Sequence, residues 1–160
     1  MNPFAWLIGL LLPACGLPAV QGLPTPPLTD LGQIVRPDSP NTALAAPAGF
    51  SPSPDIVTPP YQVSADRLFA LIREVAASQP RTYQAAVYPE RLQADYVARS
   101  LVFNFPDRVV VQVDRSDADR SFLIIYSRSV YGRSDFGVNR RRVETWLAVL
   151  KAKIPLPIER

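Results

Sequence analysis

The chain has 160 residues, a net charge of +3, one cysteine and no histidine, with 48% hydrophobic residues and eighteen prolines. The missing histidine removes His-based triads, general bases and metal sites, and a single cysteine cannot close an intrachain disulfide or build a Cys/His cluster. Residues 1–60 sum to −2 and residues 61–160 to +5; so mild a basic balance does not mark a nucleic-acid binder, and neither a nucleic-acid partner nor a cofactor or metal is expected.

Residues 1–29 carry no charged side chain, and Phe4 to Leu12 form a compact apolar run broken by Pro13, Gly16 and Pro18. That pattern reads as the apolar region of an export signal over residues 1–22. Leu12-Pro-Ala-Cys15-Gly16 resembles a bacterial lipobox, in which Cys15 is lipidated and becomes the mature N-terminus. Cleavage after Ala14 or Ala19 and an uncleaved membrane anchor are the alternatives. A span needs about 20 apolar residues, and the prolines interrupt this run early. All three place the domain outside the cytoplasm, periplasmic or lumenal, and associated with a membrane through its N-terminus.

Residues 23–60 read as a proline-rich linker. Eleven prolines fall between Pro18 and Pro60, and no hydrophobic periodicity accompanies them, which favours extended, polyproline-like conformations. Within it Arg36-Pro-Asp-Ser-Pro-Asn-Thr42 is a turn motif, since Asp38, Ser39 and Asn41 can bond nearby backbone.

The packed domain is expected over residues 61–160. Ser64 caps a predicted helix running to Gln79, with Asp66 in its first turn and Leu68, Leu71, Ile72 and Val75 on one face. Strands are predicted at Tyr83–Tyr88, Leu92–Phe103, Arg108–Asp114 and Ser121–Ser129. In the second, Leu92, Ala94, Tyr96 and Ala98 alternate with Gln93, Asp95, Val97 and Arg99. Asn104–Asp107 is expected as a turn. Asn139 is expected to cap a C-terminal helix ending near Lys153, its buried stripe made of Val143, Trp146, Leu147, Leu150 and Ile154. Spacing this short favours a meander, so the fold expected is α+β: an antiparallel sheet of four or five strands packed by an N-terminal and a C-terminal helix, in the order α-β-β-β-β-α.

Between the last strand and that helix lies the densest polar stretch, Tyr126–Val143, holding five arginines, three serines, one aspartate and two glycines. Its order, S-R-S-x-x-G-R-S-D-F-G-V-N-R-x-R-V, resembles the signature of the DUF1499 family, a bacterial and plastid domain of unknown function. The family's C-P-x-S-P-N-C motif is similar to residues 36–42: Pro37, Ser39, Pro40 and Asn41 match, while Arg36 and Thr42 stand where cysteines are frequent. The resemblance covers about Arg36 to Lys153, with Phe105-x-Asp107 a weaker match, and implies that residues 36–42 fold onto the domain. It supplies no reaction.

Three readings of the signature stand. In a structural clasp, Asp135 pairs with Arg133 or Arg128 and bonds loop amides, Gly132 and Gly137 supply special backbone, and Phe136 plugs the core. In an anion site, Arg128, Arg133 and Arg140 join Asn139 and the free amides of the helix start to hold a phosphate, a carboxylate or a lipid head group. In an enzyme, Asp135 is base or nucleophile with Ser127, Ser129 or Ser134 assisting; no catalytic residue is assigned, because nothing nearby activates a serine and an acid among arginines is a poor base. The expected function is an exported, membrane-tethered binding or assembly module with an envelope protein or an anionic ligand as partner.

Overall fold

The computed structural model describes residues 14–25 and 27–154. Most of the apolar run at the N-terminus, and so most of the predicted export signal, lies outside the described residues. Six strands form one sheet: β1 (Thr42–Pro47), β2 (Ile56–Thr58), β3 (Thr82–Tyr88), β4 (Gln93–Arg99), β5 (Pro106–Arg115) and β6 (Ser121–Ser129), in the order β2-β1-β6-β5-β4-β3. Two helices, α1 (Ala65–Ser78) and α2 (Val138–Lys153), lie on one face.

The class is α+β, as the alternation of strand and helix patterns implies. Strands β3 to β6 are the predicted antiparallel meander. The strand count and the linker are corrected. β1 pairs antiparallel with β6, and β2 pairs parallel with β1, so the sheet is mixed and residues 42–58 belong to it. The sequence Thr42-Ala-Leu-Ala-Ala-Pro47 has little β propensity of its own. It becomes a strand because it completes the free edge of β6, with Leu44 opposite Tyr126 and Ala45 opposite Ile125. Asp55 locks the return: its carboxylate accepts from Leu44 N–H at 2.8 Å and its own N–H donates to the Leu44 carbonyl at 2.8 Å.

α1 forms as predicted. Ser64 accepts from Arg67 N–H at 3.4 Å, and Leu68, Leu71, Ile72 and Val75 are buried. These meet Ala43, Ala45, Val109, Val111, Leu123 and Ile125 on the inner face of the sheet. Trp146 of α2 stands edge-on to Tyr96 of β4, with centroids 5.8 Å apart. Strand β4 ends at Arg99, so Leu101–Phe103 is a turn rather than strand, and Pro106 and Asp107 already pair with β4.

The outer face of the sheet is also covered. Leu31 of a 3-10 turn (Leu31–Gln33) packs with Leu44, Ala46, Val110, Ile124 and Tyr126. Residues 14–25 continue this strap over β4. Arg99 holds it: the guanidinium is buried and donates to the carbonyls of Ala14 (2.7 Å), Ala19 (2.6 Å), Gln21 (3.0 Å) and Asn104 (3.0 Å). With four carbonyls and, among the described residues, no carboxylate bonded to it, burial lowers its pKa. Hydrogen bonds from a charged donor contribute about 1.5–3 kcal/mol each. In Arg99→Met the strap should open while the sheet stays closed: exchange of the Gln21 and Leu23 amides should accelerate at least about tenfold, with β5 amides unchanged. Hydrogen-exchange mass spectrometry reads both; equal acceleration in strap and sheet would show that Arg99 supports the whole fold instead.

Candidate functional site

The polar stretch folds into a clasp, and its centre is Asn139. This side chain is fully buried at the first turn of α2. Its oxygen accepts from Ser127 Oγ (2.5 Å) and from Arg142 (2.7 Å). Its nitrogen faces Asp135 Oδ2 (2.8 Å), Ser129 Oγ (2.9 Å) and the Asn41 carbonyl (3.0 Å). A buried amide with partners on both sides has little reason to move.

The neighbours close the network. Arg142 also donates to Ser127 Oγ at 3.0 Å and to Asp107 Oδ2 at 2.6 Å, an ion pair with both side chains largely buried. Burial pushes the Asp107 carboxyl above the usual carboxylate range, with Arg142 opposing that shift. Asn41 donates to the Gly132 carbonyl at 2.6 Å, and Ser129 N–H donates to the Asn41 carbonyl at 3.0 Å. Ser39 donates to Asn41 Oδ1 at 2.9 Å. Four distant segments are thereby joined: the turn before β1, the start of β5, the end of β6 and the start of α2.

Several sequence expectations change at this point. Gly137, with φ +77°, and not Asn139, is the residue before α2. Asp135 performs the capping, accepting from Gly137 N–H (2.9 Å) and Asn139 N–H (2.7 Å). It makes no ion pair with Arg133 or Arg128 among the described residues, because its oxygens are already occupied by amides. Phe136 does not plug the core. It is 86% exposed at φ +52°, since Asn139 and its partners fill the space beneath the loop. Gly132 and Gly137 do have positive φ, and a Cβ on Gly137 would sit 3.2 Å from the Arg141 guanidinium.

The anion-site residues are not brought together. Ser127 and Ser129 point to α2, so Arg128 between them points to the opposite face, beside Arg108 and Tyr126. Arg133 is exposed on the loop, and Arg140 pairs with Glu144 at 3.0 Å on the helix surface. The amides at the helix start are used by Asp135. Ser127 and Ser129 are hydrogen-bonded within the clasp. Two members of the network are not marked by the sequence pattern: Arg142 is one of three consecutive arginines, and Asp107 falls in the expected Asn104–Asp107 turn. The Phe105-x-Asp107 match was the available signal.

Cys15 is buried beside Arg99; burial raises its thiol pKa and the guanidinium opposes the rise. Among the described residues no group of acids and cysteine is placed to hold a metal ion.

The sequence pattern defining the family described as "Protein of unknown function (DUF1499)" matches residues 35–150. The chain belongs to the DUF1499 family. In this DUF1499 chain the two positions that the resemblance sets against cysteines are in contact, since Arg36 Nε and Nη2 lie 3.3 and 3.2 Å from Thr42 Oγ1. Arg36 also pairs with Asp55 at 2.7 Å. Arg36, Thr42 and Asp55 thus form a hydrogen-bonded group before and beside β1.

No curated protein matches the chain. Among solved structures, the di-domain ARO/CYC BexL from the BE-7585A biosynthetic pathway superposes with a TM-score of 0.41 at 17% identity, over 59% of this chain and 43% of that one. The chain thus spans less than half of that protein. TTHA0849 from Thermus thermophilus superposes with a TM-score of 0.40 at 9% identity, over 71% of this chain and 96% of that one. At such scores neither bears on what this chain does.

Proposed function

We propose that this DUF1499 protein is an exported, non-enzymatic binding module, tethered by its N-terminus and lying against a lipid surface. The observation that carries the proposal is the tip between β4 and β5. Leu101, Val102 and Phe103 are 82%, 63% and 47% exposed, three consecutive apolar side chains at the surface. The tip is built to present them. Ser100 N–H donates to the Phe105 carbonyl (3.0 Å), Ser100 Oγ accepts from Phe105 N–H (2.9 Å), and Asn104 turns the chain at φ +56°.

The tip adjoins the strap. Asn104 Nδ2 donates to the Leu17 carbonyl at 2.9 Å, and Leu17 is itself exposed. Ala14, the first described residue, also lies near the tip, since Arg99 Nη1 donates to the carbonyls of both Ala14 and Asn104. An N-terminal tether and an apolar tip at one end of the molecule suit a single lipid surface. The clasp supports a rigid body rather than a reaction, because its hydroxyls and its capping carboxylate are committed to internal bonds.

Full burial of an apolar side chain contributes about 1.5–3 kcal/mol, so the tip alone should bind weakly, in the range of a single short acyl chain. A chain beginning at Ala14 should float with phosphatidylcholine vesicles at millimolar lipid. The triple variant Leu101→Ser, Val102→Ser, Phe103→Ser should not float, with an unchanged circular dichroism spectrum. Equal flotation of the two, or none by the unsubstituted chain, would remove the lipid-facing tip.

A further inference from the structure

Between the outer face of the sheet and the strap lies a cavity of about 470 Å³, within the size range of small-molecule sites. Its walls are largely apolar, with Val97 and Val110 on the sheet side and Leu23 and Ile34 on the strap side.

Charges enter it without cancelling. Arg108 and Arg128 occupy directly opposed positions on β5 and β6 and both line the cavity. Like charges in that relation repel. Arg108 donates to the Pro24 carbonyl at 2.8 Å, and the Arg128 side chain has no hydrogen bond or ion pair among the described residues. Arg36, at the rim, is already paired with Asp55.

Asp95 is the acid inside. It is 2% exposed, and its Oδ2 has no hydrogen-bond partner. It makes no ion pair with Arg108, and burial raises its pKa more than Arg108 lowers it. Its neighbour Gln93 gives it little help. With its nitrogen toward Asp95, Gln93 makes one long contact of 3.4 Å. Turned the other way, the amide donates to the Thr29 carbonyl (3.0 Å) and to Gln112 (3.3 Å) and accepts from Thr29 N–H (3.3 Å). The second orientation satisfies more groups and leaves Asp95 facing an oxygen. A buried polar atom without a partner is costly, and Asp95 is one of the residues that line the cavity.

We propose that this cavity binds a small amphipathic oxyanion: an apolar body against Val97, Val110 and Ile34, a carboxylate or phosphate head held by Arg108 and Arg128, and a polar group meeting Asp95. Guanidinium pairs suit such heads because they offer several donors in a plane. The site is on the opposite face of the sheet from the clasp and is independent of the lipid-facing tip.

The test is calorimetric titration of the full-length protein in nanodiscs of neutral phosphatidylcholine, with empty nanodiscs subtracted. The probes are naphthoate, naphthyl phosphate, naphthol and inorganic phosphate. At least one naphthyl anion should bind about tenfold or more tighter than either naphthol or inorganic phosphate, the size of one charge-assisted hydrogen bond. The tighter of the two anions identifies the head group. Arg128→Gln, at an exposed position, should weaken that anion about tenfold and leave naphthol unchanged. Val110→Phe should fill the cavity and abolish binding of both. Naphthol binding as tightly as the anions would leave only an apolar pocket, and inorganic phosphate binding as tightly would leave only a bare anion site; either overturns the proposal. So does the absence of saturable binding, or an anion affinity indifferent to Arg128→Gln.

Discussion

Asn139→Ala should destabilise the protein by about 3–6 kcal/mol in urea unfolding at neutral pH. The figure comes from what is left behind. The Asn41 carbonyl, the Ser127 and Ser129 hydroxyls, one oxygen of Asp135 and the Arg142 guanidinium each lose one partner; a buried group left without any costs about 1–3 kcal/mol, and those that keep a second partner, as the Asn41 carbonyl keeps Ser129 N–H, cost less. Relaxation and entry of water should recover part of that sum. A domain of this kind has about 5–15 kcal/mol in all, so the variant should be close to unfolding. Asn139→Asp keeps the shape but turns a donor into an acceptor 2.8 Å from the Asp135 carboxylate, so it should be at least as damaging. Arg133→Gln, on the exposed loop, is the comparison, and should change stability by less than about 0.5 kcal/mol. Similar losses in Asn139→Ala and Arg133→Gln would mean that the signature does not act through its buried amide.

That contrast shows what was legible in the sequence. The signature was visible as a block because its polar residues are dense and follow a recognisable order. Which of its members carry the structure was not visible, because the deciding partners are remote: Asn41 lies 98 residues from Asn139, and Asp107 lies 35 from Arg142. Arginine was the most conspicuous residue type, yet Arg133 and Arg140 remain on the surface while Arg142, in the same run, is buried. The difference is helical phase. Arg142 follows Asn139 by three positions on α2, so both face the sheet.

Strands β3 to β6 and both helices were legible because hydrophobic periodicity is a local property. Strand β1 was not, since Thr42–Pro47 is a strand only in the presence of β6, and proline-rich flanks argue the other way. The same applies to the strap. Nothing in residues 14–25 announces a cover for a sheet; the signal lay in β4, where Gln93, Asp95 and Arg99 alternate with apolar residues and suggest a wet face. The structure dries that face by giving Arg99 four carbonyls. Of Gln93, Asp95 and Arg99, it is Asp95 that keeps a buried oxygen without a partner, which is why the cavity, rather than the signature, is the candidate ligand site.

Arg142→Met should cost about 3–5 kcal/mol at neutral pH, the range for removing one member of a buried ion pair. The loss arises on Asp107, whose carboxylate would stay buried without its counter-charge. The cost should therefore depend on pH, in a definite direction. Burial already raises the Asp107 pKa above the usual carboxylate range in the folded protein, so folding favours its protonated form. That contribution to stability is full at low pH and is lost as pH rises through the raised value. Removing Arg142 takes away the cation that opposes the shift, which moves the folded value higher still. At neutral pH the variant must then either bury an unpaired charge or take up a proton, and both cost free energy relative to the unfolded chain. Towards pH 4 the carboxyl is neutral in the folded variant without that penalty, and the gap to the unsubstituted protein should narrow. The double variant Arg142→Met, Asp107→Leu should regain much of the loss at neutral pH and show no such narrowing, since no titrating group remains in the pair. Recovery should stay incomplete, because Arg142 also donates to Ser127 and Asn139. Urea titrations of the three proteins between pH 4 and pH 8 decide the matter. A gap that stays constant across that range would mean that Arg142 acts by packing and by its bonds to Ser127 and Asn139, with the charge of Asp107 incidental.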